Sequence, residues 1–185
     1  AFNNCSALTE IVIPASVATL GDATNGSAFT GCSALSKVTF LGANTQILPA
    51  DANGIPSSAT IYGFKGSTAE TYASDYNRTF VRITTVASGT CGENLTWTLS
   101  DEGELTISGT GTMNDYSSTT APWKDYNNQI VKVTVGEGVT ALWSTNRSQP
   151  FNGLTQDFTI SLPSTLTKID RDFNGCANLT AVTFA

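Results

Sequence analysis

The sequence predicts a chain that is α/β leaning all-β, built of short coils stacked one over another. Three observations predict it. The skeleton Phe-x-x-Cys-x-x-Leu-x-x-Val-x-Phe recurs with its internal spacings intact: Phe29, Cys32, Leu35, Val38, Phe40; Phe2, Cys5, Leu8, Ile11, Ile13; and Phe173, Cys176, Leu179, Val182, Phe184. A looser copy reads Phe151, Leu154, Ile160, Leu162. Copies follow each other at 27 residues (Phe2 to Phe29) and 22 residues (Phe151 to Phe173), periods typical of stacked structural repeats. Charged residues make up only 13% of the chain, and Ser, Thr and Asn supply the polar surface, which suits exposed strands and turns.

Each element of the repeat has a physical reading. The last three framework residues alternate, as in a short strand with one buried face. Ile11 and Ile13 are therefore expected inward, and Glu10 and Val12 outward. Pro14 stops the strand because proline cannot donate to a ladder. Val17, Leu20 and Gly21 form a return segment on the opposite wall. A single unit buries too little apolar surface to fold alone. Stacked units share a core in which each buried Leu, Ile or Phe contributes roughly 1.5–3 kcal/mol.

The string Phe-x-x-Cys-x-x-Leu-x-x-Ile-x-Ile-Pro-x-x-Val-x-x-Leu-Gly, from Phe2 to Gly21, resembles the BspA-like bacterial leucine-rich repeat, and residues 1–48 and 130–185 carry this pattern. The resemblance implies a leucine-rich repeat solenoid of two short repeat blocks with β-hairpin and small helix caps. It also implies a non-enzymatic scaffold, secreted or on the bacterial cell surface, for adhesion or protein binding. Its expected partner is a protein or glycan, including host extracellular proteins.

Along the chain, residues 1–83 read as a repeat block ending in a β-α-β cap at 60–83. Asn25-Gly26-Ser27 reads as a bulging loop, Ile47, Leu48 and Pro49 as an irregular return, and Asp51-Ala52-Asn53-Gly54 as a turn. In the cap, Thr60-Ile61-Tyr62 and Phe80-Val81-Arg82-Ile83 are strand-like. Between them, Ser67-Thr68-Ala69-Glu70 has the form of a capping box. Ala69, Tyr72, Ala73 and Tyr76 share one helical face, and Asn77 can end the helix in a left-handed conformation. This segment resembles the one that closes repeat arrays in related surface proteins.

Residues 84–90, short, small and polar, read as a linker. Residues 91–129 read as a β-hairpin cap module: Leu95, Trp97 and Leu99 alternate, Asp101-Glu102-Gly103 turns, and Leu105 and Ile107 alternate again. Pro122 suits the first turn of a short helix. Repeats then resume over 130–185, with Val139 and Leu142 on the return. At 151–170, Leu154 replaces the cysteine and Asp157 stands where a leucine is expected, so Phe158 fills the gap with a local distortion. The chain starts inside a repeat and ends on a strand, so it is expected to be a piece of a longer protein.

Charge and composition exclude several classes. Nine Lys and Arg against 15 Asp and Glu give a net charge of −6, unsuited to nucleic acid or anionic membranes. No segment approaches the roughly 18 apolar residues of a membrane span, so no membrane insertion is expected of this stretch. With no histidine, Ser-His-Asp and Cys-His catalysis are absent, and no catalytic residue is assigned. No CxxC pair exists, so neither metal site nor cofactor is expected. Gly109-Thr110-Gly111 matches a dinucleotide fingerprint for three residues only, and Leu162-Pro163-Ser164-Thr165 is repeat framework. Cys5, Cys32 and Cys176 read as a column of buried free thiols, although Cys5 and Cys32 could bond if their coils stack directly. Cys91 has no positive neighbour to activate it.

The candidate ligand-binding surface is the outward strand face. Val12, Thr39, Thr134, Ser161 and Thr183 are expected in one column, and Glu10, Lys37, Lys132, Thr159 and Ala181 in the next. Two other readings stand beside it. Head-to-tail self-association through open repeat ends would build a filament. A carbohydrate-binding module would use Tyr116, Trp123 and Trp143.

Overall fold

The structure is a computed structural model describing residues 2–21, 27–49, 53–143, 148–169 and 172–185. It is mostly strand, with one α-helix among the described residues. The chain divides into two compact units, 1–84 and 85–185.

In the first unit, strands β1 (Glu10–Ile13), β3 (Lys37–Phe40), β5 (Thr60–Gly63) and β6 (Phe80–Arg82) form a parallel sheet in that order. Glu10 pairs with Lys37 and Ile13 with Phe40, so equivalent repeat residues lie side by side. On the return, β2 (Thr19–Leu20) and β4 (Gln46–Ile47) form a second parallel pair. The return expected to be irregular at Ile47 is thus in register with its neighbour. Thr45, almost fully buried, holds it there by donating its hydroxyl to the Val17 carbonyl at 2.9 Å.

The spacing of the skeleton has a direct cause. The amide of Cys32 donates to Phe29 and that of Leu35 to Cys32, two consecutive three-residue turns. The same bonds recur at Phe2-Cys5-Leu8 and Phe173-Cys176-Leu179. The residue before each cysteine is left-handed: Asn4 (φ 61°), Gly31 (φ 78°) and Gly175 (φ 77°). Glycine, or asparagine at some cost, is what this position accepts.

The helix α1 (Thr68–Asp75) begins as the capping box requires. The Ser67 hydroxyl accepts the Glu70 amide, and the Glu70 carboxylate accepts the Gly66 amide at 2.6 Å, one residue upstream of the usual partner. Asn77 (φ 49°) ends the helix, and the Arg78 amide reaches back to the Ala73 carbonyl at 2.8 Å, a Schellman closure. Ala69, Tyr72 and Ala73 are buried against Phe29, Phe40 and Ile61 in the core of this unit. Of the expected loops, Asn25-Gly26 and Asp51-Ala52 lie outside the described residues.

The second unit holds a six-stranded sheet. Its order is β14 (Leu179–Phe184), β13 (Phe158–Leu162), β11 (Lys132–Val135), β9 (Glu104–Gly109), β8 (Leu95–Ser100), β7 (Thr85–Thr90). The first four are parallel, and β9, β8 and β7 are antiparallel. The stretch 84–90 read as a linker is therefore corrected: Thr85–Thr90 is a strand, because its small residues fit against the Trp97 side of β8. A Cβ at Gly89 would come within 2.8 Å of the Trp97 indole nitrogen. On the return, β10 (Gly111–Thr112) pairs in parallel with β12 (Val139–Ala141).

In the core of this unit the Phe position of the repeat becomes a ladder of rings. Trp123 stacks on Phe151 (5.8 Å, 12° between planes) and Phe151 on Phe173 (6.1 Å, 11°). Phe2 and Phe29 do the same in the first unit (5.5 Å, 6°). Phe158 is buried as expected, and the β13–β14 register shifts between Phe158 and Thr159. The short helical turn is a 3-10 turn at Lys124–Tyr126, with Trp123 rather than Pro122 leading into it.

Candidate functional site

The outward faces of the two sheets carry the residues that the alternation of the strands turns to solvent. In the second unit, Ser88, Thr98, Thr106, Thr134, Ser161 and Thr183 pair one with the next across all six strands. They form an unbroken row of small hydroxyls spaced by the interstrand distance of about 4.8 Å. Their sequence neighbours Trp97, Leu105, Ile107, Val133, Val135, Ile160 and Leu162 fill the core. Packing those side chains inward fixes which residues face out.

Beside this row lies a second, running Glu104, Lys132, Thr159, Ala181. Its one charged pair is Lys132 with Glu104 at 3.0 Å. The Glu104 carboxylate also accepts the Thr134 hydroxyl at 2.7 Å. That hydrogen bond first, then Lys132, holds its carboxyl below the ordinary range. Ser161 and Thr183 share a hydrogen bond at 2.8 Å. Thr134, Ser161 and Thr183, tied to neighbours in this way, lose little freedom on binding.

The predicted residues are distributed between the units. Lys132, Thr134, Thr159, Ser161 and Thr183 stand together on the second sheet. Glu10, Val12, Lys37 and Thr39 stand on the first, where Glu10 and Lys37 form an exposed pair at 3.4 Å. The expected single column is thus two separate rows. The row of the first unit continues from Val12 and Thr39 into Tyr62 and Val81, and so is more apolar. Sequence reasoning missed Ser88, Thr98 and Thr106. The alternation Thr96-Trp97-Thr98 and Leu105-Thr106-Ile107 was the signal that could have found them.

The stacking platform of Tyr116, Trp123 and Trp143 does not exist as expected. Trp123 is fully buried, and its indole N–H donates to the Pro150 carbonyl at 3.1 Å. It occupies the Phe position of a coil, so it belongs to the core.

The cysteines are all free, Cys5 exposed, Cys176 partly buried, Cys32 and Cys91 buried. The expected buried column therefore holds fully only at Cys32, which has coils packed on both sides and donates its thiol to the Phe2 carbonyl. Burial pushes the thiols of Cys91 and Cys176 up to about 11, so neither is a nucleophile at neutral pH. Among the described residues no group of three Cys, Asp or Glu is placed to hold a metal ion. No helix among them is long and apolar enough to cross a membrane.

Residues 1–51 match the family described as BspA type leucine rich repeat region (6 copies). A solved structure of a leucine-rich repeat protein from Eubacterium ventriosum is 32% identical, covering 53% of this chain and 26% of that chain, with a TM-score of 0.46. The chain thus spans about a quarter of the length of that protein. No curated protein matches significantly. Leucine-rich repeats generally serve as scaffolds for protein binding, and the BspA type is typical of surface or secreted bacterial proteins.

Proposed function

We propose that this chain is a non-enzymatic solenoid scaffold on the bacterial cell surface or secreted from it, binding protein partners in adhesion through its outward strand faces. One observation carries the reading: the unbroken row Ser88, Thr98, Thr106, Thr134, Ser161, Thr183. It offers a broad face with donors and acceptors at regular spacing and little charge, and the Glu104–Lys132 pair beside it is already neutralised. Extended faces of stacked repeats are used in this way. Catalysis has no support in the thiols of Cys91 and Cys176, which burial holds protonated, or in any histidine, of which there is none.

The test is capture of purified extracellular proteins by the immobilised chain, with a glycan array in parallel. Thr134→Lys and Thr106→Lys place a long charged side chain in the middle of the row. Each should lower protein capture at least about tenfold, as a buried unpaired charge at an interface does. Asn128→Lys, on an exposed turn outside the sheet, should leave it unchanged. Equal loss in all three variants, or binding of glycans alone, would overturn the reading.

A further inference from the structure

An open cleft of about 300 Å3 lies in the first unit between the return segment and α1. Gln46, Ile47 and Pro49 line one side and Tyr72, Asp75 and Tyr76 the other. Its aromatic wall is built rigidly. The Tyr72 hydroxyl is held by Asn53 at 3.1 Å, and Asn53 in turn donates to the Leu48 carbonyl at 2.6 Å and accepts the Ile55 amide at 2.8 Å. Tyr76 packs on Tyr72 with ring centroids 4.8 Å apart, yet stays 41% exposed. One ring of the pair is therefore fixed in the core and presents the other to solvent.

The electrostatics of this cleft are one-sided. Among the described residues lining it, Asp75 is the only charged one. Among the described residues, no hydrogen bond or ion pair engages the Asp75 side chain. It also sits in the last turn of α1, beside the negative end of the helix dipole, and that turn contains no basic residue. The nearby Arg78 is committed elsewhere: its guanidinium donates to the carbonyls of Pro56 and Ile55 and lies 5.3 Å over the Tyr72 ring. That contact shows the chemistry this tyrosine pair supports, a cation over an aromatic face. An uncompensated carboxylate, a helix C-terminus and an open tyrosine ring all attract the same kind of group.

We propose that this cleft takes the guanidinium or ammonium of an arginine or lysine side chain from a protein partner. The inference rests on the reading of the chain as a protein-binding scaffold. Size agrees: about 300 Å3 is at the bottom of the range for ligand pockets, room for one side chain lying along Ile47 and Pro49. Anions are disfavoured because no cation lines the wall among the described residues.

The test is an NMR titration of the 185-residue chain with the peptide acetyl-Gly-Arg-Gly-amide, its Gln counterpart, and maltotriose as a saccharide probe. The Arg peptide should shift Tyr76 and Asp75 resonances saturably, and the Gln peptide should bind more weakly. Asp75→Asn should weaken the Arg peptide roughly 2- to 5-fold without lowering the melting temperature, since it removes a charge and keeps the shape. Tyr76→Ala should weaken it by a similar factor. Equal affinity for Arg and Gln peptides, a response to maltotriose alone, or unchanged affinity in Asp75→Asn would overturn the proposal. The titration reads the cleft itself, so its failure leaves the Thr134→Lys capture result intact. Failure of the scaffold reading is seen only in that capture.

Discussion

Truncating Phe151 to alanine should nearly unfold the second unit, while the same change at Phe173 should not. Both hold the same repeat position. Phe151 is fully buried with a parallel ring on each side, Trp123 at 5.8 Å and Phe173 at 6.1 Å. Removing it leaves a cavity between two rings that the sheet prevents from closing, and large-to-small changes of this kind cost about 3–5 kcal/mol. Phe173 is only partly buried and stacks on Phe151 alone, so its loss should cost about half as much. With about 4 °C of melting temperature per kcal/mol for a unit of this size, Phe151→Ala should lower the midpoint by at least ~12 °C. The assay is a urea titration followed by tryptophan fluorescence. All three tryptophans, Trp97, Trp123 and Trp143, lie in the second unit, so the signal reports that unit. A cost under about 1 kcal/mol for Phe151→Ala, or an equal or larger one for Phe173→Ala, would refute the reasoning, because depth in the ring ladder would then not set the energy.

Three further predictions concern the repeat framework and the cysteines. Gly31→Ala forces a side chain into a left-handed position and against the Asn4 side chain, and should cost about 1–3 kcal/mol by urea denaturation, whereas Asn4→Gly at the equivalent position should be neutral or mildly stabilising. Thiol labelling of the native chain should modify Cys5 quickly and Cys91 only on unfolding. The folded chain keeps the Cys91 and Cys176 protons up to about pH 11, whereas the unfolded chain releases them near 9.0. In that window the folded state holds more protons, so stability is fully present below 9.0 and falls as pH rises toward 11. A stability flat over this range in chemical denaturation would contradict the burial of Cys91.

The repeat itself was legible because its cause is local. Three-residue turns place Phe, Cys and Leu at fixed spacing, and alternation orients the strand, so the sequence shows both directly. The capping box at Ser67 and the left-handed Asn77 were legible for the same reason. Long-range pairing was not. Thr85–Thr90 has the composition of a linker and becomes a strand only because β8 offers an edge lined by Trp97. Missing that pairing hid half of the hydroxyl row, since Ser88 read as linker and Thr98 and Thr106 as part of a separate cap. Trp123 was misread because an aromatic residue in an unfamiliar copy of the repeat looks the same in sequence whether it faces the core or solvent. The cleft beside Asp75 depends on the return strand meeting α1, a contact that no local pattern encodes.

The central claim is that the hairpin and the repeat strands of the second unit are one sheet with one core, presenting one continuous face. Native-state hydrogen exchange by NMR tests this most directly. Hydrogen-bonded amides of β8 and β9 should exchange with the same free energy and the same denaturant dependence as those of β11 and β13, in a single cooperative opening. A hairpin over residues 85–109 that opens at markedly lower free energy than strands 132–162 would show two separate bodies, and the shared face would not exist.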